Sequence, residues 1–379
     1  MIVRYVKMQV YLDNAATTQV DEKVVKEMER ALVKEYGNPS SIHSKGHLAL
    51  EILDDAREIL AKEINCDISE IIFTSSGTEA NNLALNSLDK GDHLITSELE
   101  HPSIYNKAKK LEKEGVEVTY LGSDKEGFVK IDDLKSKIKE NTKMISLMHI
   151  NNEIGTIQNL EEIGKVCKEN NILFHSDCVQ SLKKEKIDVK KFNLNFASFS
   201  AHKIHGPKGI GALYFKKNSK ITPLIYGGGQ ENNLRSGTEN VAGIAGFGEA
   251  LKQDFENKKV KELRNYLISE IEKNIKNVKL NGSRGKRVCN NANISFKSIE
   301  GESILMSLDM EGIFVSTGSA CSSRALKASR VLLALGLNHE EAHGSIRFTL
   351  SKHNTKEELD YVVEKLKEIV KRLREMSAL

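Results

Sequence analysis

The chain of 379 residues is long enough for one large hydrophobic core or two smaller ones, and 39% hydrophobic with 29% charged residues is ordinary for a soluble globular protein. Its 56 basic and 53 acidic residues leave a net charge of +3, which favours neither nucleic acid nor a membrane as the main partner. The apolar residues 1–10 are interrupted by Arg4 and Lys7, are too short to span a bilayer and show no cleavage site. Five scattered cysteines without a CxxC pair argue against a disulfide framework or a zinc site, and they favour a reducing cytoplasm.

Hydrophobic periodicity predicts two helices near the start of the chain, one over Asp21 to Tyr36 with Asp21 as its cap. The second helix carries Leu48, Ile52, Ala56 and Ile59 on one face. Strands then alternate with helices, and the predicted strands are 71–74, 93–96, 116–121, 144–148, 172–176, 196–200 and 211–215. Repeated strand–helix units predict a largely parallel sheet with helices on both faces, in which ligands bind at the carboxyl ends of the strands.

The pattern changes after about residue 255. Helices are predicted at 260–275, 302–311, 328–335 and 355–375, and strands at 292–296, 313–317 and 346–350. We therefore expect a large α/β domain over 11–255 and a smaller α+β domain over 256–379, with the segment up to about residue 25 able to pack on the smaller one.

Two predicted strands end on residues that suit a pyridine ring. Asp177 ends the strand that begins at Ile172, and Lys203 follows the strand 196–200 between Ser200 and a Gly-Pro turn. A lone lysine in such a loop is more often a solvated charge. An aspartate that partners a pyridinium nitrogen beside a lysine that carries an aldehyde is, however, the pair that pyridoxal chemistry needs.

Four motifs strengthen this interpretation: Asn151-Asn-Glu-Ile-Gly155, His175-x-Asp177-x-x-Gln180, Ser200-Ala-His-Lys203 and Gly318-Ser-Ala-Cys321. Together with Tyr11-Leu-Asp-Asn-Ala-Ala-Thr-Thr18, they resemble the pyridoxal-phosphate-dependent cysteine desulfurases of the NifS/IscS type, in the class-V aminotransferase family, from residue 11 to about 350. The resemblance implies fold type I of the pyridoxal-phosphate transferases, with a mostly parallel seven-stranded sheet in the large domain. It also implies a homodimer that takes sulfur from L-cysteine, releases L-alanine and passes a persulfide to an iron–sulfur scaffold protein, to tRNA thiolation or to another acceptor.

The resemblance also assigns the residues that hold pyridoxal 5'-phosphate. The phosphate would be bound by Gly77, Thr78, Ser200 and His202, with Thr238 reaching the site of the neighbouring subunit. The ring would be held by His101, which stacks on it and shuttles protons, by Asn152 at its edge, by Asp177 at its nitrogen and by Gln180 at its phenolic oxygen. Taken alone, the Gly77 turn, a loop histidine and Asn152 are weaker signals, since each is common in caps, surfaces and turns.

Two further residues belong to the expected substrate site. Arg347 lies among apolar residues of a predicted strand, where a buried guanidinium needs an anion, either a substrate carboxylate or a neighbouring Asp or Glu. The resemblance favours the carboxylate of the amino acid, with Asn152 beside it. Cys321, in a run of small residues carried by the smaller domain, would be the nucleophile, with Lys203 and His101 as the other catalytic residues.

Alternative functions remain open at this point: a selenocysteine lyase or an aminotransferase of the same fold, or a non-catalytic scaffold in which Cys321 transiently ligates an iron–sulfur cluster. A pure scaffold has no reason to keep Lys203. The chain departs from the family pattern at Cys178, where alanine is usual, and at Ala328-Ser329-Arg330, where Pro-Ser-His or similar is usual. We expect Cys178 to point away from the ring into apolar packing, and we expect the second change to remove a rigid stop after the Cys321 segment.

Overall fold

The computed structural model describes residues 8–318 and 328–377. The helices in these ranges are α1 (Glu22–Val33), α2 (Ser44–Ile64), α3 (Gly77–Leu85), α4 (Pro102–Lys113), α5 (Ile131–Ser136), α6 (Leu160–Glu169), α7 (Val241–Lys252), α8 (Asn257–Asn274), α9 (Gly301–Met310), α10 (Arg330–Ala334), α11 (His339–His343) and α12 (Lys356–Ser377). The strands are β1 (Val10–Tyr11), β2 (Ile71–Thr74), β3 (His93–Ser97), β4 (Glu117–Leu121), β5 (Thr142–Ser146), β6 (Leu173–Asp177), β7 (Phe196–Ser200), β8 (Gly211–Phe215), β9 (Val278–Asn281), β10 (Asn291–Phe296), β11 (Ile313–Phe314) and β12 (Ser345–Thr349).

The central sheet has seven strands in the order β2-β8-β7-β6-β5-β3-β4. Neighbours from β7 to β4 are parallel, while β8 runs antiparallel to both β7 and β2. The prediction of a mostly parallel seven-stranded sheet is confirmed. Because β2 is parallel to β6 and β7, the carboxyl ends of these three strands lie at the same edge of the sheet, where α/β folds bind ligands.

Helices cover both faces of this sheet, as the strand–helix alternation predicts. Successive strand residues point to opposite faces, so Phe73 enters a core cluster with Leu60 of α2, while Ile72 enters another with Leu83 of α3 and Ile104 of α4. Because both faces of the sheet are buried, the sequences of its strands are continuous apolar runs.

A second core lies under an antiparallel sheet of three strands, β12-β10-β9, with α8, α9 and α12 packed beside it. The start of the described chain joins this part, because β1 pairs in parallel with β11, and Val10 and Leu12 share a core cluster with Phe348 and Leu366. The division at residues 255 and 256 stays a prediction. In the described ranges, no helix combines the length and the apolar composition that crossing a bilayer requires.

Local predictions are corrected in two places. Leu48, which we expected on one face of α2 with Ile52 and Ala56, is exposed while those two are buried, and Leu53 and Leu60 also lie in the core. Helix α7 is absent from the predicted elements, because its glycines obscure the apolar periodicity. A Cβ at Gly248 would lie 2.9 Å from that of Ala56, so this glycine lets α7 pack closely on α2. The predicted cap of α1 is confirmed, since the Asp21 carboxylate accepts from the N–H of Lys23.

Candidate active site

The carboxyl ends of β2, β6 and β7 open onto one cavity of about 260 Å³. Its walls contain ten of the residues that the sequence singles out: Gly77, Thr78, His101, Asn152, Asp177, Gln180, Ser200, His202, Lys203 and Arg347. They come from segments far apart in the chain, so the fold brings the expected site residues together.

Lys203 lies in a short turn directly after β7. Its Nζ donates to the carbonyl oxygens of Ala15 and Ala16, at 2.6 and 2.7 Å. Burial, followed by repulsion from Arg347 and Lys184, lowers the pKa of Lys203 to about 7. A buried amine that is half neutral near pH 7 can act as a nucleophile or as a base.

Asp177 is the buried last residue of β6. Its Oδ2 accepts from Nδ2 of Asn81 at 2.7 Å, and its Oδ1 accepts from the N–H of Val179 at 3.0 Å. A carboxylate has about four acceptor positions, so these two bonds hold its plane and leave lone pairs for a cationic partner.

Helix α3 begins at the cavity wall, immediately after β2. Ser76 caps the helix by accepting from the N–H of Glu79, and Gly77 and Thr78 occupy its first turn. The first N–H groups of a helix have no intrahelical acceptor, and they attract anions. A Cβ at Gly77 would come within 2.6 Å of Cγ2 of Val179, so only glycine fits this wall without a shift.

His202 and Gln180 also line the cavity. Nδ1 of His202 lies 3.2 Å from the Thr17 hydroxyl, and burial beside Lys203 lowers the pKa of this histidine to about 3. Nε2 of Gln180 donates to the carbonyl of Ala15 at 3.1 Å, while its Oε1 accepts from the buried Lys184 at 3.3 Å. The imidazole of His202 is therefore neutral near pH 7, and the amide of Gln180 is uncharged, so both side chains act as neutral hydrogen-bonding groups.

His101 caps helix α4, with its Nδ1 accepting from the backbone N–H of Ser103 at 3.1 Å. The same nitrogen lies 2.7 Å from the Ser103 hydroxyl. Burial lowers the pKa of His101. The imidazole is thus held through one ring nitrogen at the wall of the cavity.

Arg347, on β12, is 1% exposed. Its Nη2 pairs with Asp13 at 2.7 Å, and its Nη1 donates to the carbonyl of Asn152 at 3.0 Å. The ion pair that the sequence left open as an alternative is therefore present. Nε is buried without an acceptor in the described part of the chain.

Thr238 is not brought into this cavity. It lines a separate cavity of about 260 Å³ together with Ser75, Glu231 and Arg235. Its assignment to the site of a neighbouring subunit stays a prediction.

Cys321 lies outside the described residues. The other four cysteines are free, and burial raises the pKa of Cys66, Cys167 and Cys178 to about 12 and that of Cys289 to about 11. Cys178 is fully buried in the core cluster of the central sheet. The prediction that it points into apolar packing is confirmed.

The flank after residue 327 corrects one expectation. We expected Ala328-Ser329-Arg330 to remove a rigid stop, but Ser329 caps α10 and donates to the buried Glu153. Arg330 donates to the carbonyl oxygens of Glu98 and Glu100, and its guanidinium lies 3.7 Å from the ring centroid of Tyr105. Side-chain contacts therefore fix this flank in place of the proline.

Sequence reasoning missed three polar residues that hold the expected ones: Asn81, Ser103 and Asp13. Asn81 lies one helical turn after Gly77, so it faces the same edge of the sheet. This spacing of four residues from Gly77 could have indicated that Asn81 belongs to the site. Asp13 is 334 residues from Arg347, and no local pattern connects them.

Comparison with known proteins agrees with this geometry. The profile of the family described as "Aminotransferase class-V" matches residues 10–362. A cysteine desulfurase IscS of Dictyoglomus turgidum is 50% identical over 98% of this chain and 97% of its own length. Among solved structures, a NifS-like protein is 37% identical with a TM-score of 0.90, covering 97% of this chain and 100% of its own. The structure described as SspA in complex with cysteine is 35% identical with a TM-score of 0.83, covering 92% of this chain and 100% of its own.

The match spans the central sheet, the cavity and the part of the chain that contains β9 to β12, and the family profile alone covers most of the sequence. The resemblance that the motifs indicated is confirmed at this level. The chain belongs to the class-V aminotransferase family, among the cysteine desulfurases of the NifS/IscS type.

Proposed function

We propose that the protein is a pyridoxal-phosphate-dependent cysteine desulfurase, which converts L-cysteine to L-alanine and keeps the sulfur as a persulfide on Cys321. The observation that carries the proposal is one cavity that combines the low-pKa amine of Lys203, the buried carboxylate of Asp177 and the guanidinium of Arg347. Relatives similar along the whole chain are named cysteine desulfurases, and one structural neighbour is described in complex with cysteine.

The residues of the cavity fit pyridoxal phosphate group by group. Asp177 would hold the pyridinium nitrogen, Gln180 the phenolic oxygen, and the amine of Lys203 the aldehyde. The N-terminus of α3 and the hydroxyl of Ser200 would hold the phosphate. The bound cofactor supplies an electron sink for bonds broken at the α-carbon of an amino acid.

Arg347 would bind the carboxylate of L-cysteine, sharing its guanidinium with Asp13. Two of its nitrogens are already held, by Asp13 and by the carbonyl of Asn152, so the group is oriented before substrate arrives. Nη1 and Nη2 each carry a second N–H, and a charge-assisted bond in a buried site is among the stronger polar contacts.

Lys203 would remove the α-proton, because its neutral form is well populated at pH 7. The thiolate of Cys321 would attack the sulfur of the substrate, forming an S–S bond as the C–S bond breaks. The electron pair that stays on the substrate carbon is neutralised by a proton, so one thiol and one cysteine give one persulfide and one alanine without an external oxidant. The assignment of Cys321 as the nucleophile rests on its sequence motif. The described cysteines have pKa values too high for thiolate attack.

The test is to supply L-cysteine to the purified protein and to measure alanine and protein-bound persulfide together. Equal amounts of both products support the desulfurase. An α-keto acid in place of alanine would indicate an aminotransferase, and a strong preference for selenocysteine would indicate a lyase. Absence of turnover with retained cluster binding would indicate a scaffold.

We also infer a homodimer in which Thr238 completes the neighbouring site, located in a reducing cytoplasm and delivering sulfur to an iron–sulfur scaffold protein or another acceptor. Mixed dimers of Lys203→Ala and Thr238→Ala subunits test the sharing. If Thr238 acts across the dimer, the subunit that keeps Lys203 receives an intact Thr238 and activity returns. If Thr238 acts within its own subunit, mixing restores nothing.

A further inference from the structure

A buried chain of hydrogen bonds connects the carboxylate of Asp177 with the imidazole of His101. Nδ2 of Asn81 donates to Oδ2 of Asp177 at 2.7 Å and to the hydroxyl of Ser103 at 2.8 Å. The Ser103 hydroxyl lies 2.7 Å from Nδ1 of His101. Asn81 on α3 is 1% exposed and Ser103 on α4 is 8% exposed, so bulk water does not compete for these bonds.

The direction of each bond follows from the available protons. Asp177 as a carboxylate only accepts, which requires the amide nitrogen of Asn81 to face it, and both protons of that nitrogen are then used. The Ser103 hydroxyl accepts one of them, so its own single proton is free to point at Nδ1 of His101.

The backbone provides a second donor to the same nitrogen. The N–H of Ser103 points at Nδ1 of His101 from 3.1 Å, because His101 is the cap of α4. A nitrogen that receives two donors must carry a lone pair, so the proton of the neutral ring lies on Nε2. Nε2 has no partner among the residues that the structure describes, and it is the ring nitrogen left for the cavity.

We propose that Ser103 and Asn81 are positioning residues that fix His101 as the Nε2–H tautomer, so that the ring offers the cavity a proton donor and not a base. Removal of the α-proton then falls to Lys203, and His101 is limited to donating a hydrogen bond or a proton. The assignment of catalytic roles rests on the proposed function, but the tautomer itself does not.

Two observations agree with this assignment. Burial lowers the pKa of His101, and the positive charges of Lys203 and Arg330 lower it further. The negative charge of Asp177 acts in the opposite direction but does not outweigh them, so the neutral ring is favoured. Oδ1 of Asn81 is buried without a partner in the described chain. A buried oxygen without a partner lowers the stability of the fold. The orientation of the Asn81 amide is therefore set by the two hydrogen bonds that its nitrogen donates.

The tautomer can be measured directly by long-range proton–nitrogen NMR on protein labelled with ¹⁵N-histidine, without L-cysteine. His101 is assigned from the signal that disappears in His101→Gln. We expect an unprotonated Nδ1 and a protonated Nε2 between pH 7 and 8. In Ser103→Ala one donor to Nδ1 is lost, and the ratio of the two tautomers should fall by about tenfold, as expected for one hydrogen bond.

Two variants serve as controls. Ser103→Thr keeps the hydroxyl and should keep the tautomer ratio. Ser87→Ala removes another buried hydroxyl, one without a partner in the described chain, and should change nothing.

A proton on Nδ1, or an imidazolium at pH 7, in the unsubstituted protein would overturn the proposal even if Ser103→Ala failed to fold. A tautomer ratio of His101 that is the same in Ser103→Ala as in Ser87→Ala would also overturn the proposal. Loss of the desulfurase assignment with the Nε2–H tautomer intact would overturn the proposed function alone.

Discussion

The amine of Lys203 should capture pyridoxal phosphate at neutral pH, where an ordinary lysine is almost fully protonated. Its pKa is lowered to about 7, first by burial and then by the charges of Arg347 and Lys184. Among the described residues, its Nζ donates only to the carbonyl oxygens of Ala15 and Ala16. In residues 8–318 and 328–377, no carboxylate therefore pairs directly with the ammonium form to restore the ordinary pKa.

The size of the effect follows from the neutral fraction, since only the neutral amine attacks an aldehyde. With a pKa of about 7, about half of the Lys203 amines are neutral at pH 7, against about 0.04% for a lysine at the reference pKa of about 10.4. The rate of capture should rise about tenfold from pH 6 to pH 8, and it should then level off.

The assay mixes protein stripped of cofactor with pyridoxal phosphate in a stopped-flow instrument and follows the visible absorbance. Parallel reactions with N-acetyl-lysine methyl ester correct for the ionisation of pyridoxal phosphate itself. Borohydride trapping and peptide mapping identify the modified lysine, and Lys203→Ala is the negative control. A rate that still rises tenfold per pH unit up to pH 9 would refute the lowered pKa.

The same shift predicts how pH changes the stability of the stripped protein. Below about pH 7 the amine of Lys203 is protonated in both states, so the cost of burying its charge is fully present. Between about pH 7 and 10 the unfolded chain binds more protons than the folded one, so the free energy of unfolding should rise with pH from this group. Urea titrations of the parent and of Lys203→Met, compared across this range, isolate its contribution.

Three further substitutions test other parts of the account. Gly77→Ala puts a Cβ 2.6 Å from Cγ2 of Val179. This overpacking should weaken pyridoxal-phosphate binding about tenfold in an equilibrium titration. Unchanged affinity would show that the wall at Gly77 does not restrict the binding site. Cys178→Ala should cost about 1 kcal/mol in unfolding experiments and leave activity within a few-fold; loss of most activity would bring this thiol into the mechanism. Asp13→Ala leaves the buried charge of Arg347 unpaired and should cost about 3 kcal/mol in urea unfolding; a loss below about 1 kcal/mol would show that the pair is dispensable.

The sheet and the ends of its strands could be predicted from the sequence because buried parallel strands are continuous apolar runs. Asp177 and Lys203 each follow such a run, and the rule that ligands bind at the carboxyl ends of strands placed them together. The strands Ile71–Thr74, Phe196–Ser200 and Gly211–Phe215 have the predicted bounds.

The supporting network could not be predicted, because its contacts join distant segments. Asn81 touches Asp177 across 96 residues, and in sequence it resembles any polar residue of a helix. The change at Ala328-Ser329-Arg330 was interpreted as the loss of a proline, but Arg330 contacts the carbonyl oxygens of Glu98 and Glu100, which lie 232 and 230 residues away in the chain. Contacts of this kind form only in the folded chain, and local sequence patterns do not predict them.

The most direct test of the central claim is peptide mapping of the persulfide after one turnover without a sulfur acceptor. We expect one alanine per active site and a persulfide on Cys321, with both lost in Cys321→Ser while cofactor binding is retained. The four described cysteines are buried or half-buried, with raised pKa values, and should remain unmodified. A persulfide on any of them, or alanine formation by Cys321→Ser at the parent rate, would contradict the account.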